Sequence, residues 1–307
     1  MSAAHPPRPR KAVVPLAGLG TRHFPASHAV KKELFPVVGP DGISRALFHY
    51  HLIELVAAGF EEICLIVQPG GDSSIRSYLE GPDEDYLRRL EKYPALREEA
   101  RRMAELAERV SFAFQHTQEG YGHAVHQSRG FTNGQPFLLC LGDHLFRGSP
   151  HSPNSPNSPY RLLAEAAEIS AGKSVSAVNR IGPDDLKGYG TIAGSRRKES
   201  PSLIDVSLII EKPGIDLARQ QLRVEGLGSE EFLGWYGMHL LSPSIHDILE
   251  EMIRDNIRDG GEFQLTRAQE IQRQREGYLA LEMTGAERFD FGLPDDYLAG
   301  LAAFRKA

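Results

Sequence analysis

Two basic residues follow a glycine-bearing turn near the start of the chain. The sequence runs from an apolar segment at 13–16 into Gly18 and Gly20, then reaches Arg22 and, ten residues later, Lys32. Glycine lets a backbone approach phosphate oxygens closely, and exposed N–H groups donate hydrogen bonds to them. Because the two cations would neutralise phosphate charge, this stretch predicts a loop that binds a triphosphate.

The spacing of these residues differs from two common phosphate-binding loops. A dinucleotide-binding turn has the form G-x-G-x-x-G, but His23 stands where the third glycine should be. A P-loop has the form G-x-x-x-x-G-K-[ST], and no such pattern starts at Gly18. On these residues alone, an ordinary strand-turn glycine pair remains an alternative.

Charged side chains also follow two later apolar runs. Asp143 ends the run "FLLCLGD", whereas Glu211 and Lys212 stand between an apolar run and Pro213. A carboxylate at the carboxyl end of a buried strand suits Mg²⁺, which binds oxygen ligands. For the same reason His144 is interpreted as a neighbour of such a site rather than a ligand. An isolated Glu-Lys pair usually belongs to a solvated surface, but a position directly after a predicted strand is less usual for such a surface pair.

Strand-like and helix-like runs alternate along the chain. The strand-like runs lie at about 11–16, 62–67, 110–116, 136–144, 174–180, 202–211, 233–241 and 278–284. The helix-like runs lie at about 45–58, 161–172, 243–254 and 264–276, with a last one from about 294. This alternation predicts an α/β fold with a mixed, mainly parallel Rossmann-like sheet flanked by helices.

The domain organisation predicted is a flexible N-terminal arm at 1–10 followed by a single domain at 11–307. A charged helical insertion at about 83–109 is divided into two helices by Pro94. It is interpreted as a solvated surface element, with an oligomer contact or a lid as alternatives. The Ser-Pro-Asn repeat at about 148–160 is interpreted as a mobile loop.

Composition excludes some classes of protein. The net charge of −6 gives no global basic field for nucleic acid. No apolar run reaches the length of a membrane span, and the N-terminus has no apolar core of a secretory signal, so the cytoplasm is the expected location. Cys64 and Cys140 each lie in an apolar run and are interpreted as buried thiols, not as a disulfide or metal pair.

The first segment also resembles a known family. "LAGLGTR", followed by "FPAS" and "KKELFPV", resembles the signature of the sugar-phosphate nucleotidyltransferases, and the bacterial UTP–glucose-1-phosphate uridylyltransferases are the most similar branch. The likeness spans roughly 11–300 and implies the nucleotide-diphospho-sugar transferase fold. It also implies a nucleotide-binding loop and two residues that neutralise the transferring phosphates. The loop residues would be Ala17, Gly18, Gly20 and Thr21, and the phosphate-neutralising residues Arg22 and Lys32.

Several later segments carry the same resemblance. They imply nucleotide contacts by Gln115 and Gly120 in "QHTQEGYGHAV", sugar contacts by Gly190 in "GYGTI" and by Glu211 and Lys212 in "IIEKPG", phosphate contact by Lys212, and metal binding by Asp143 and by Asp290 in "RFDFGL". An amide can accept from a pyrimidine N3–H and donate to O4, so a glutamine in the base-reading loop fits uracil or thymine. "GEFQLTRAQE" resembles a helix start of the family and is interpreted as capping and packing.

The chain departs from the family pattern at identifiable positions. Glu119 and His28 stand where the family commonly has lysine, and Lys31 stands where it usually has proline. The metal segment is "LGDH", where the uridylyltransferases have "LPDV". These departures leave the sugar acceptor and the subfamily open.

The function that the resemblance implies is an enzyme that joins an NTP to a sugar 1-phosphate, releasing pyrophosphate. UTP and glucose 1-phosphate are the expected pair, with Mg²⁺ as cofactor. The expected partners are these small molecules and further copies of the chain in a dimer or tetramer, without nucleic acid or membrane. Thymidylyl or cytidylyl transfer, another sugar, and a non-catalytic nucleotide-sugar sensor remain alternatives.

Overall fold

The computed structural model describes residues 8–149 and 152–306. The strands are β1 Lys11–Pro15, β2 Pro36–Val38, β3 Ser44–Ala46, β4 Glu62–Val67, β5 Val110–Phe114, β6 Phe137–Cys140, β7 His144–Gly148, β8 Val175–Ile181, β9 Thr191–Arg196, β10 Leu203–Ile210, β11 Phe232–Leu241, β12 Leu279–Glu282 and β13 Ala286–Asp290. The helices are α1 Ala26–Ala29, α2 Leu47–Ala57, α3 Asp72–Glu80, α4 Glu84–Arg89, α5 Pro94–Ala107, α6 Tyr121–His126, α7 Arg129–Thr132, α8 Pro159–Ile169, α9 Ile215–Gln221, α10 Ser244–Arg254, α11 Leu265–Glu276 and α12 Pro294–Lys306.

Within the described residues, nine strands form the central sheet in the order β5-β4-β1-β6-β11-β8-β12-β10-β9. The pairs β5–β4, β4–β1, β1–β6 and β8–β12 are parallel. The pairings of β11 with its neighbours and of β10 with its neighbours are antiparallel. The predicted mixed α/β sheet is therefore confirmed. The expectation that it is mainly parallel holds only for the half that contains β1, because β11 and β10 each run antiparallel to their neighbours.

Strand β1 shows why the sheet is covered on both faces. Ala12 and Val14 pack into one hydrophobic cluster, whereas Val13, between them, packs into another. Side chains alternate across a strand, so a continuous apolar run needs an apolar layer on each side. Because both faces of β1 are packed, its carboxyl end is held in the sheet, and the glycine turn begins directly after it.

The predicted strand at 136–144 is wrong in its second half. The chain leaves the central sheet after Cys140 and starts the separate strand β7 at His144. Gly142 lies in the turn between them, where a Cβ would stand 2.5 Å from the Pro15 carbonyl oxygen. The close approach of this turn to the end of β1 is the physical reason for the break.

A two-stranded sheet of β7 and β13 lies apart from the central sheet. Its antiparallel register places Asp290 directly opposite His144. Residues opposite each other on an antiparallel pair extend from the same face. This small sheet, which was not predicted, brings the ends of two distant segments together.

The predicted insertion contains two helices, α4 and α5, and Pro94 is the first residue of α5. Most side chains of α5 are exposed, but Glu99 and Leu106 are buried. The interpretation of this segment as a solvated insertion, like its possible role in oligomers or as a lid, stays a prediction.

The structure also bears on the two cysteines, the N-terminal arm, the Ser-Pro-Asn loop and membrane-spanning helices. Both cysteines are buried and unpaired, as predicted. Residues 1–7 of the predicted arm and residues 150–151 of the predicted mobile loop lie outside the described residues, and the mobility of both segments stays a prediction. In the described part of the chain, no helix has the length and apolar character needed to cross a membrane.

Candidate active site

The glycine turn after β1 brings the backbone close to Lys32. Gly20 has a φ of 64°, a left-handed conformation that favours glycine. A Cβ at Gly20 would lie 3.2 Å from the Ser27 Cβ, and one at Gly18 would lie 3.9 Å from the Lys32 Cε. The turn is therefore packed against the lysine stem, which fixes where the ammonium group lies.

Lys32 forms an ion pair with the first of the predicted metal-binding carboxylates. Its Nζ lies 2.7 Å from Asp143 Oδ2, and each side chain is 16% exposed. Charge-assisted hydrogen bonds of this length are among the stronger polar contacts in proteins. The structure thus joins two predicted site residues that are 111 positions apart.

A cavity of about 400 Å³ opens beside the glycine turn, and we call it the glycine-loop cavity. It is lined by the predicted residues Ala17, Gly18, Arg22, Lys32, Gln115, Gly120 and Asp143. Gly20 and Thr21 do not line it. Gly20 shapes the turn, and Thr21 is exposed at the start of a short 3₁₀ helix, so a direct contact of either with a ligand stays a prediction.

Gln115 is almost fully buried at the edge of this cavity, with 3% exposure. Its amide nitrogen lies 3.2 Å from the Gly120 carbonyl oxygen and 3.2 Å from His123 Nδ1. His123 Nδ1 also lies 3.1 Å from the Thr117 carbonyl oxygen, to which it donates, so the Gly120 carbonyl is the acceptor that the described residues offer to this amide. The amide oxygen and the second amide hydrogen remain for a ligand, so the expected pair of hydrogen bonds to a pyrimidine stays a prediction.

A second cavity, of about 620 Å³, lies on the other side of Asp143, and we call it the central cavity. The predicted residues Gly190, Glu211, Lys212 and Asp290 line it. A Cβ at Gly190 would lie 2.5 Å from Trp235 Cδ1 and 3.0 Å from Glu211 Oε2. Glycine is required at 190 because the indole and the carboxylate both approach its backbone.

Glu211 and Lys212 differ in how firmly they are held. Glu211 Oε2 accepts a hydrogen bond of 2.7 Å from Thr266 Oγ1. Lys212 has a φ of 44° and an exposed side chain, with its Nζ 3.6 Å from Glu211 Oε1. The carboxylate is therefore positioned by the protein, whereas the ammonium group can reorient towards an anion in the cavity.

The two cavities adjoin each other. Arg22, Tyr121, Leu141 and Asp143 line both of them. A ligand in the glycine-loop cavity and one in the central cavity would meet at this shared wall, which carries one guanidinium and one carboxylate. The arrangement suits two anionic molecules that react with each other between the cavities.

The predicted metal-binding residues Asp143 and Asp290 are bridged by His144. His144 Nδ1 lies 2.9 Å from Asp143 Oδ1, and Nε2 lies 3.1 Å from Asp290 Oδ2. Burial by itself lowers the pKa of His144, but the hydrogen bonds to both carboxylates outweigh it and raise the pKa to about 9. Burial likewise raises the pKa of Asp143, yet His144 and Lys32 hold it well below its usual range.

These carboxylates fit a divalent cation that completes its coordination with ligand oxygens. A Cβ at Gly292 would lie 3.0 Å from Asp290 Oδ1 and 3.3 Å from Asp143 Oδ2, so glycine leaves space where both oxygens converge. Across residues 8–149 and 152–306, no group of three or more His, Cys, Asp or Glu side chains is arranged to hold a metal. One or two protein carboxylates with phosphate oxygens and water are the usual ligands of Mg²⁺.

Several residues of the central cavity were not predicted from the sequence. Thr266 lies in the segment interpreted as capping and packing, and its bond to Glu211 was missed. Arg288 is two residues before Asp290 on β13, and the alternation of a strand was the available signal that both extend from one face. Trp235 gave no signal, because it lies within a run of residues typical of packing, whereas Tyr121 lies in the segment "QHTQEGYGHAV" but was assigned no role.

The Nucleotidyl transferase family model matches residues 11–305. UTP–glucose-1-phosphate uridylyltransferase 1 of Staphylococcus saprophyticus is 29% identical over 303 residues, which cover 94% of this chain and 94% of that protein. UTP–glucose-1-phosphate uridylyltransferase of Mycoplasma pneumoniae is 27% identical over 296 residues, which cover 95% and 91%.

Solved structures show the same relationship. UTP-bound UGPase from Acinetobacter baumannii is 25% identical with a TM-score of 0.72, and the match covers 96% of this chain and 93% of that chain. An apo UDP-glucose pyrophosphorylase, 23% identical with a TM-score of 0.77 and coverage of 97% and 98%, shares the fold. Because the family model matches nearly the whole sequence, the chain belongs to the nucleotidyl transferase family.

Proposed function

We propose that this protein is a UTP–glucose-1-phosphate uridylyltransferase, which makes UDP-glucose and pyrophosphate from UTP and glucose 1-phosphate. The observation that carries the proposal is the pair of adjoining cavities with Arg22 and Asp143 in their shared wall. The glycine-loop cavity takes the nucleotide and the central cavity takes the sugar phosphate. The relatives with this activity match along almost the full length of the chain.

The reaction needs alignment and charge neutralisation more than proton transfer. An oxygen of the sugar phosphate attacks the α-phosphorus of UTP, and the bond from that phosphorus to the bridging oxygen of pyrophosphate breaks. The attacking oxygen is already anionic, so no general base is required. The protein's contribution is to hold two anions in line and to stabilise the charge that develops between them.

Three basic side chains are assigned to that task. Arg22 lies in the shared wall, Lys32 lines the glycine-loop cavity, and Lys212 lines the central cavity. Lys32 and Arg22 act on the triphosphate, and the exposed Lys212 turns from Glu211 to the phosphate of the sugar. Glu211, held by Thr266, accepts hydrogen bonds from sugar hydroxyls.

We assign Asp143 and Asp290 as the residues that would hold Mg²⁺. When bound, such a cation supplies Lewis-acid neutralisation of phosphate oxygens. The carboxylates themselves do not enter the bond changes. Asp143 also orients the Lys32 ammonium group at 2.7 Å.

The amide of Gln115 supports a preference for UTP over CTP. Its amide nitrogen donates to the Gly120 carbonyl oxygen, and this bond orients the amide so that its oxygen is free to accept from a base. Uracil presents an N3–H donor to that oxygen, whereas cytosine presents a lone pair at N3. Thymine presents the same N3–H, so the amide does not separate UTP from dTTP.

A pyrophosphate-release screen tests the proposal. UTP, dTTP, CTP, ATP and GTP are each combined with glucose 1-phosphate and with other hexose 1-phosphates, and initial rates are compared. UTP with glucose 1-phosphate should give the highest kcat/KM. A higher value with dTTP, CTP or another sugar would reassign the substrate while keeping the reaction.

The same screen separates the enzyme from a sensor. Asp143→Asn is the matched inactive variant, since it removes the carboxylate charge with little change in shape and should sharply lower the rate. A sensor would release no pyrophosphate from any pair, yet would bind UDP-glucose by calorimetry.

We also propose that the chain acts in the cytoplasm on small molecules and as a homo-oligomer. Light scattering of the purified protein tests the oligomeric state. A mass equal to the 34.0 kDa of one chain would contradict it.

A further inference from the structure

His144 contacts both carboxylates of the proposed cation site at once. Its Nδ1 lies 2.9 Å from Asp143 Oδ1 and its Nε2 lies 3.1 Å from Asp290 Oδ2. The His144 side chain is only 11% exposed, so these carboxylates replace water as its hydrogen-bonding partners. An imidazole that donates from both nitrogens carries a positive charge.

The small sheet fixes the position of this imidazole. His144 on β7 stands opposite Asp290 on β13, and the Phe291 backbone N–H donates to the Asp143 carbonyl oxygen at 2.9 Å. The His144 ring also stacks on Phe146, with an angle of 16° between the ring planes. Backbone pairing and ring stacking together leave the imidazole little freedom to turn away.

The four carboxylate oxygens fall into two pairs. His144 binds Asp143 Oδ1 and Asp290 Oδ2, while Asp143 Oδ2 and Asp290 Oδ1 converge on the space that Gly292 leaves. The second pair is positioned by Lys32, which donates to Asp143 Oδ2, and by the Gly292 N–H, which donates to Asp290 Oδ1. The oxygens bound by His144 are therefore the outer ones of the site.

Two carboxylates this close repel each other in the absence of a cation. Lys32 compensates one negative charge, but it contacts only Asp143. His144 supplies the second positive charge and is the side chain that contacts both acids. Hydrogen-bonding partners that orient metal-binding carboxylates typically change metal affinity by about tenfold to a hundredfold when they are removed.

We propose that His144 is a positioning residue that holds Asp143 and Asp290 at the separation a divalent cation needs. The inference rests on the proposed function for the assignment of these two carboxylates as cation ligands. It concerns the histidine that replaces the valine of the related "LPDV" segment, and it explains that departure as a different way to assemble the same site.

Binding of Mn²⁺ alone to the full-length protein tests this role. Electron paramagnetic resonance measures free Mn²⁺ during titration, without substrates or turnover. His144→Val should raise the Mn²⁺ dissociation constant by about tenfold or more. Loss of the imidazolium charge by itself would lower that constant, because one positive charge beside the cation is removed. A rise therefore reports lost positioning, whereas an unchanged or lower constant would overturn the inference.

Two conservative variants keep the test valid if the valine variant does not fold. The amide nitrogen of His144→Asn corresponds to Nδ1 and keeps the contact with Asp143, whereas that of His144→Gln corresponds to Nε2 and keeps the contact with Asp290. Each should give a Mn²⁺ dissociation constant between those of the wild type and His144→Val. If His144→Val does not fold, the constant of each amide variant should still exceed that of the wild type. Wild-type affinity in both would refute the positioning role.

His246→Leu is the matched control. His246 is also a buried histidine, but neither of its ring nitrogens has a hydrogen-bonding partner within the described residues. The Mn²⁺ affinity of His246→Leu should equal that of the wild type.

Parallel pyrophosphate assays separate the two proposals. A wild type that releases pyrophosphate but binds no Mn²⁺ would overturn the role of His144 and leave the enzyme. A wild type that releases none, with Mn²⁺ affinities in the expected order, would overturn the enzyme and leave the role of His144.

Discussion

At the residue scale, two contacts determine the position of Lys32. Its stem packs beside Gly18 and Gly20, and its ammonium group binds Asp143 at 2.7 Å. A lysine held this way is preorganised, since its side chain does not have to be ordered when a triphosphate enters the cavity. It also couples the glycine-loop cavity to the proposed cation site, because the same carboxylate belongs to both.

We expect Lys32→Met to reduce kcat by about two orders of magnitude, in line with the loss of one electrostatic stabiliser of a developing charge. Methionine keeps the approximate bulk of the stem and removes the charge. Steady-state kinetics with UTP and glucose 1-phosphate measure the effect, and a change confined to KM would instead indicate uniform binding of substrate and transition state.

Lys31→Met is the control for that experiment. Lys31 is the neighbouring lysine but does not line either cavity. Its kcat should stay close to that of the wild type. Equal losses in the two variants would contradict a specific role for Lys32.

At the element scale, helix α5 is attached to the domain by a buried ion pair. Arg45 and Glu99 are 5% and 6% exposed, and Arg45 Nη2 donates to Glu99 Oε2 at 2.7 Å. Arg45 also binds Asp41 at the β2–β3 turn. The charged insertion is thus joined to the β2–β3 hairpin through one arginine, although most of the surface of α5 faces solvent.

Glu99→Ala should destabilise the protein by about 3 kcal/mol, because removing one partner of a buried pair leaves the other charge insufficiently compensated. Chemical denaturation with intrinsic fluorescence measures the free energy of unfolding. The adjacent Glu98→Ala is the control, since Glu98 is paired with Arg101 but exposed, and surface pairs contribute little. Similar effects of the two changes would show that the Arg45 pair does not anchor α5.

At the scale of the whole molecule, a buried carboxyl group that lies outside the candidate active site affects the stability of the fold. Glu54 on α2 is 3% exposed, and neither of its carboxyl oxygens has a hydrogen-bonding partner within the described residues. Burial raises its pKa from 4.5 to about 7, against the charge of Arg147. Between these two values the folded protein keeps a proton that the unfolded chain has released.

The contribution of Glu54 to stability is therefore complete below about pH 4.5 and is lost as the pH rises through about 7. We expect the stability of Glu54→Gln relative to the wild type to rise across this window by up to about 3 kcal/mol and then level off. Unfolding free energies at several pH values measure that rise. Glu80→Gln, an exposed change on α3, should not show it. A relative stability of Glu54→Gln that stays flat with pH would contradict the raised pKa.

The sequence by itself determined the class of fold and most of the charged residues around the two cavities. Apolar runs long enough for buried strands alternate with helical periodicity, and this local pattern was sufficient for the mixed α/β sheet. Likewise, Gln115, Asp143 and Glu211 closely follow such runs, and a side chain just after a strand lies near the edge of the sheet. Lys32 instead lies in a short 3₁₀ helix well beyond β1, and the family resemblance rather than a strand end indicated it.

Only the tertiary structure decided how these residues are combined. Strand β13 pairs with β7 through backbone hydrogen bonds that have no side-chain signal, and that pairing places His144 between Asp143 and Asp290. The bond of Thr266 to Glu211 and the approach of Trp235 to Gly190 also join distant segments. Local propensity carries no information about such contacts, because they arise from packing of the whole chain.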